Sequence, residues 1–463
     1  MTTTDPALMS AETLLGLYAR RALSPVEALQ AVMERIARLN PSVNAFAAMN
    51  PRAAAEAGES EARWMAGRPR GPLDGVPTTV KDIMDLAGFP TRRGSRISDP
   101  RPVAQDAPVP LSLKEAGAVI LGKTTTTEFG WKTPGDCPLH GITRNPWDLA
   151  RTPGGSSSGA GAAAAAGFGA LHVGTDAGGS IRIPAAYCGI VGVKPSYGRV
   201  PQWPHGAFAS VAVAGPMART VRDAALMLQV MARPDLRDPY ATDAPPPDLL
   251  SGIEAGVAGL RVALVRRWGY EPPLDAAGEA ALAAAAEVLR EGGASVEEAD
   301  PELPDTRAIF GRVWGAALAR LVARTPEDKR ALLDPGLLEV ARRMEGTTAA
   351  DMLEADAARG EAAHRMALFH LRYDLVLTAA TPTAAFAADA PTLHPTEALW
   401  RDWAPWTFAA NLTRQPAVAV PVGLDQDGMP RAVQVIAAQG ADALALRGAR
   451  AIERASRVGV PGA

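Results

Sequence analysis

The chain has 463 residues, 47% of them apolar and 21% charged, as expected of a folded globular protein with a large core. Its 47 basic and 50 acidic side chains leave a formal charge of −3. With no long Lys/Arg run, this argues against nucleic acid as a partner. The two cysteines, Cys137 and Cys188, make no CxxC pair and no disulfide framework, and the N-terminus lacks a basic start followed by an apolar core. A reducing, cytoplasmic setting fits. The six histidines include no HxxxH pair, and His364 and His370, six apart, fall on different helix faces, so no zinc site and no other cofactor is expected.

In chain order, a helix is expected over about Ala11–Arg21. A second opens at Ser24-Pro25-Val26-Glu27, a capping box with Pro in the first turn, and should end near Asn40-Pro41. A third covers Ala53–Met65. GPLDGVPTTVKD places a short buried strand at Val76–Val80, with Lys81 and Asp82 at or just past its end. A helix-like PVPLSLKEAG precedes a strand at Ala118–Leu121. After residue 185, CGIVGVKPSYG reads as strand and turn, and a helix runs from Thr220 to about Met231. ATDAPPPDLL (241–250) is a Pro-rich surface connection and a candidate boundary. Beyond it come a strand (259–265), a helix (275–293), a mostly helical stretch (303–375), three apolar strands (374–383, 416–423 and 432–438) and a last helix (441–455). This alternation is that of an α/β protein.

Residues 151–185, RTPGGSSSGAGAAAAAGFGALHVGTDAGGSIRIPA, carry no charge from Thr152 to Thr175. A Gly/Ser linker would not run into five alanines and then Leu171, Val173 and Ile181. The run is long enough for a membrane span, but Ala and Gly contribute little transfer energy and Leu, Ile, Val and Phe are sparse. No membrane partner is expected. A buried helix over Gly161–Gly167, small on every face, is the reading that fits. No Lys follows to make a P-loop, and Gly167-Phe168-Gly169 is only half of a dinucleotide fingerprint.

Two serines compete as nucleophile. Gly155-Ser156-Ser157-Ser158-Gly159 matches G-x-S-x-G, with His364, His370 and His394 available later, as in a His-dependent α/β-hydrolase-type esterase. The residues before it read as loop, where that motif needs a strand. Gly174-Thr175-Asp176-Ala177-Gly178-Gly179-Ser180 instead puts a serine in a turn whose glycines let several N–H groups converge, as an oxyanion hole requires. A base for Ser180 is then a lysine made neutral by burial, and Lys81 is the candidate.

The stretch GGSSSGAGAAAAAGFGALHVGTDAGGSIRIPA resembles the amidase signature of the amidase signature family of serine hydrolases. GPLDGVPTTVKD resembles the family's lysine segment and TRNPWDLARTPGGSSSG its lead-in, with GPMARTVRDAALML, TPT and NLTRQPAVAVPVG similar further on. The likeness extends from about Ser24 to Glu453. It implies one large domain over 1–463, with a mixed central β-sheet flanked by α-helices. Within it, 1–68 would be N-terminal helices, 69–235 the catalytic core, and 303–375 a substrate-pocket region.

The resemblance also implies a Ser–cis-Ser–Lys triad of Ser180 as nucleophile, Ser156 as proton relay and Lys81 as base. Ala177, Gly178, Gly179 and Ser180 would supply oxyanion-hole N–H groups, and Ser157, Asp176 and Arg182 would support the site. The expected activity is hydrolysis of a C–N bond other than a peptide bond in a small aliphatic or aryl amide, with carbamates (urethanes) and esters as further substrates. The rival inside the family is the glutamine-amidase subunit of a tRNA-dependent amidotransferase. The chain would act as a monomer or homodimer. Trp131, Trp203, Phe208, Trp400, Trp403 and Trp406 are candidates for an apolar pocket or, equally, for core or dimer contacts. Arg414 and Arg431 depart from the residues common at those positions.

Overall fold

The computed structural model describes residues 5–390, 404–456 and 458–461. The N-terminal part comprises α1 (Ala11–Ala19), α2 (Pro25–Val43), β1 (Phe46–Met49), α3 (Ala53–Met65), β2 (Pro77–Lys81), α4 (Pro108–Glu115), β3 (Val119–Thr124) and a small ribbon of β4 (Asp136–Cys137) and β5 (Gly141–Ile142). Next come α5 (Ser158–Ala166), β6 (Leu171–Asp176), α6 (Arg182–Cys188), β7 (Val191–Lys194), β8 (Val213–Ala218) and α7 (Val221–Met231). The remainder holds β9 (Arg261–Leu264), α8 (Ala276–Glu291), β10 (Ser295–Glu298), α9 (Thr306–Arg324), α10 (Glu327–Arg330), α11 (Pro335–Arg342), α12 (Ala349–Phe369), β11 (Leu375–Ala379), α13 (Phe408–Leu412), β12 (Ala417–Leu424), β13 (Pro430–Ala437) and α14 (Asp442–Ala455).

Eleven strands make one mixed sheet in the order β1-β3-β2-β6-β8-β7-β12-β13-β11-β9-β10. β2 runs parallel to both β3 and β6, while β8, β7, β12 and β13 continue antiparallel. The Pro-rich connection at 241–250 is therefore no boundary, because every main-sheet strand after it joins the same sheet.

Helices cover both faces, and the strand sequences show why. In β3, Ile120 packs with Leu113 and Leu228, whereas Val119 and Leu121 pack with Leu29, Ile36 and Phe168 on the other face. In β11, Leu375 and Leu377 join the first core, and Val376 joins Trp268 and Phe369 opposite. Strands apolar on both faces read as continuous apolar runs rather than alternating ones.

The capping box at Ser24 and Glu27 is formed in both directions. The helix it opens passes Pro41 and ends at Val43, beyond the expected stop. In the last turn a proline removes only one helical bond, and Asn44, left-handed at φ 57°, closes the end by donating its N–H to Asn40 O at 2.8 Å.

α5 sits at the centre. All nine of its residues are buried, and it ends at Gly167, φ 73°. Ala162, Ala163 and Ala166 face the α2/β3 side; Ala160, Ala164 and Ala165 face Ile181, Cys188, Met217 and Ala419. A helix with elements on all sides has no room for larger side chains. The two Gly-Gly-Ser ends of the uncharged stretch are thus joined by a helix and then by a strand, β6, whose glycine-broken sequence gives no strand pattern of its own.

Candidate active site

The parallel pairing of β2 with β6 aligns Val80 with Val173. Lys81 and Thr175 therefore emerge together at the carboxyl ends of adjacent strands, where open α/β sheets place their ligands. α5 begins beside them, and the turn after β6 returns over its start. Ser157 N–H donates to Ser180 O at 3.1 Å, which ties the two serine loops together. The Gly155–Ser156 peptide is cis.

Lys81 is fully buried. Its Nζ lies 2.8 Å from Ser156 Oγ, 2.9 Å from Ser157 Oγ and 2.8 Å from Thr175 Oγ1. Burial holds its ammonium well below the ordinary lysine range, opposed only in part by the Asp176 charge. Ser157 Oγ also donates to Thr175 O and accepts from Thr175 N–H, each at 3.2 Å. Its bonding capacity is filled. His364 is exposed on α12, and His370 is taken up by Gln415 and Tyr373 O, so neither meets Ser157. His394, the third candidate, lies outside the described residues.

Asp176 and Arg182 form a fully buried bidentate ion pair, with Nε to Oδ2 and Nη2 to Oδ1 both at 3.0 Å. Burial alone would raise the Asp176 carboxyl, but the Arg182 guanidinium more than offsets it and holds the group well below the carboxylate range. Arg182 further donates to Thr407 O at 3.0 Å, Gln434 Oε1 at 2.7 Å and Asn411 Oδ1 at 2.5 Å. Asn411 Nδ2 returns to Asp176 Oδ1 at 3.0 Å. These satisfied contacts cross more than 200 residues of sequence and fix the turn that carries Ser180.

Of the four N–H groups expected to converge in this turn, that of Gly179 is committed elsewhere: it donates to Asp176 Oδ1 at 2.8 Å. Gly179 adopts φ 128°, which favours glycine, and Thr407 donates its hydroxyl to Gly178 O. Among the described residues, the N–H groups of Ala177, Gly178 and Ser180 have no hydrogen-bond acceptor.

Ser156, Thr175, Ala177 and Ser180 line a cavity of about 440 Å³. Its walls come from segments 83–109, 129–130, 201–212 and 320–325. Phe208 and Trp203 are in this lining, and Phe208 is stacked on Trp314 at 3.7 Å between ring centres. Trp131 is not. It is buried in a core with Phe310, Trp314 and Leu337, and its backbone O accepts from the Trp314 indole at 3.1 Å. Trp406 is also core, donating to Pro273 O at 2.9 Å. Trp400 and Trp403 lie outside the described residues.

Neither arginine departure reaches the cavity. Arg414 stands at φ 65°, a conformation that glycine adopts without cost, with its guanidinium over the Tyr197 ring at 4.7 Å. Arg431 is held between Asp275 at 2.6 Å and Asp425 at 3.1 Å. Among the described residues, no group of three or more His, Cys, Asp or Glu side chains is placed to hold a metal ion, and no helix is long and apolar enough to cross a membrane.

The family model described as Amidase matches residues 27–446. The chain is 35% identical over 456 residues to an acylamidase of Rhodococcus erythropolis, covering 96% of this chain and 95% of that protein. It is 37% identical over 466 residues to a glutamyl-tRNA(Gln) amidotransferase subunit of Anaeromyxobacter dehalogenans (strain 2CP-C), covering 94% of each. Among solved structures it is similar to a bacterial aryl acylamidase of the amidase signature enzymes, with TM-score 0.90 and 29% identity over 97% of this chain and 96% of that one.

Proposed function

The chain belongs to the amidase family and hydrolyses carbon–nitrogen bonds, and we propose that it does so on small amides through an acyl-enzyme at Ser180. The observation that carries this reading is the fully buried Lys81, whose Nζ lies 2.8 Å from the Oγ of Ser156, a serine that lines the same cavity as Ser180. A neutral amine there accepts a proton, and an ammonium does not. As Ser180 Oγ bonds to the substrate carbonyl carbon, its proton passes to Ser156 while the Ser156 proton passes to Lys81. The oxyanion is met by the N–H groups of Ala177, Gly178 and Ser180, the donors left unoccupied in the turn. Collapse breaks the C–N bond, and the proton returns from Lys81 through Ser156 to the departing nitrogen. Water then enters by the same relay and releases the acid.

Asp176 and Arg182 act as the frame of this turn rather than as proton carriers, since each is saturated by the other and by Asn411. Carbamates and esters present the same acyl carbon to the same donors and are expected to react. The cavity walls between Phe208, Trp203 and Ile83 suit an apolar acyl or leaving group.

Ser180→Ala is expected to abolish hydrolysis of an aryl anilide, and a fluorophosphonate probe is expected to label Ser180. Labelling of Ser157 would overturn the assignment. A second reading, a glutamine amidase that works with partner proteins, is favoured by the 37% identity to an amidotransferase component. A screen of anilides, aliphatic amides, carbamates, esters and glutamine separates the two. Glutamine turnover only with added partner proteins would replace the first reading by the second.

A further inference from the structure

The cavity lining carries an excess of positive charge that the hydrolytic chemistry does not use. Five titratable side chains line it: Asp85, Arg93, His205, Arg320 and Arg324. Arg93 faces Asp85 at 3.7 Å, and His205 faces Asp238 at 3.2 Å. Arg320 and Arg324 are left over. They lie one turn apart near the end of α9, on the side that also presents Leu321 to the cavity. The other arginines of this helix are engaged: Arg307 lies over the Tyr270 ring and against Asp305, and Arg312 pairs with Glu354. Among the described residues, Arg320 and Arg324 have no acidic or hydrogen-bonding partner.

Two like charges at i and i+4 repel each other slightly, and a position near the helix C-terminus offsets part of that. Neither effect explains why both line a cavity that Ile83, Ile97, Phe129 and Phe208 also line. We propose that Arg320 and Arg324 form an anion subsite that selects amides carrying a carboxylate remote from the scissile carbonyl. The apolar stretch over Ile83, Ile97, Phe129 and Phe208 would take the intervening carbons or ring. This inference rests on the amide-hydrolase reading of Ser180. Both arginines are exposed, so their pull on a carboxylate is screened by salt and modest for each pair.

The test compares matched pairs on the purified full chain at low ionic strength. A series of diacid mono-4-nitroanilides, from glutaryl to sebacoyl, is set against neutral analogues in which a methyl ketone replaces the carboxylate; N-acetyl-4-aminobenzoate is set against the corresponding methyl ketone. The first pairs place the anion on the acyl side, and the last places it on the leaving group. In at least one pair the carboxylate form is expected to lead in kcat/KM by about tenfold, and added salt should shrink the lead. R320Q/R324Q should bring that ratio close to one, and R320K/R324K should keep most of it. Equal turnover within every pair, or a preference that survives R320Q/R324Q, overturns the subsite alone. Turnover of no member of any pair overturns the subsite; if the aliphatic amides, carbamates and esters of the screen are inert as well, the small-amide reading of Ser180 falls with it.

Discussion

At the scale of single residues the decisive group is Lys81. An ammonium in this position would need a counter-charge, and Asp176, whose charge acts on it, is already committed to Arg182. Serine and threonine hydroxyls around Nζ suit a neutral amine, which both donates and accepts. The consequence is a signed pH dependence. Acylation should fall as pH drops through the lowered Lys81 value and reach its plateau well below the ordinary lysine range. Lys81→Met should cut acylation by about 100-fold or more and erase that acid limb. Stopped-flow release of nitroaniline from an anilide reads both, and a variant with near-normal acylation would end the lysine-base mechanism. Lys81 and Ser180 could be singled out from an apolar strand end and a glycine-rich turn, whereas Ser156 came only with the family resemblance. Thr175, Thr407, Asn411 and Gln434 were not: a hydroxyl in a strand or at the start of a short helix, or an amide in that helix or in a late strand, leaves no local pattern. Their partners in the turn lie up to 252 residues away.

At the scale of elements, close approach governs what α5 tolerates. Gly159 donates its N–H to Thr125 O at 3.1 Å, so the helix start lies against the end of β3. A methyl group there would fall 2.5 Å from Thr125 N and also against Ala45 O, both backbone atoms that cannot rotate away. Gly159→Ala gains about 1 kcal/mol of helix propensity but incurs overpacking of about 1–3 kcal/mol, and more where the obstacle is main chain. A net loss is expected. Gly58 in α3 is the counterpart, because a methyl group added there would meet nothing within 4 Å. Gly58→Ala should stabilise by about 0.5–1 kcal/mol. Urea midpoints at constant slope measure both signs, and a Gly159→Ala midpoint at or above wild type would refute the packing argument. The same closeness explains which elements the sequence reveals. α3 has both ends where its composition puts them, at Ala53 and Met65. β6, β8 and α6 escape. LHVGTD and VAGPMA are broken by glycine or proline in strands buried on both faces, and RIPAAYC is a two-turn helix with a proline inside. None of the three offers a period to read.

At the scale of the whole molecule, the wide two-sided sheet buries three lysines, Lys81, Lys123 and Lys194. Lys123 has Asp82 at 2.7 Å. Among the described residues, Lys194 donates only to the Pro195 carbonyl, at 2.9 Å. Burial, helped by the Arg182 charge and opposed by Asp176 and Asp442, brings Lys194 down to about 7. An unfolded lysine titrates near 10.4. Between these two values the unfolded chain binds more protons than the folded one, so stability rises with pH across that window. Below about 7 both states are protonated and the cost, on the order of a few kcal/mol, stays constant. Lys194→Met removes the titrating group and keeps an unbranched chain in its place. Whatever it loses at Pro195 O is the same at every pH and cancels when two pH values are compared. Melting temperatures at pH 7.5 and pH 10.5 should therefore show the variant gaining on wild type more at the lower pH. An equal difference at both would mean that Lys194 keeps its charge inside the fold.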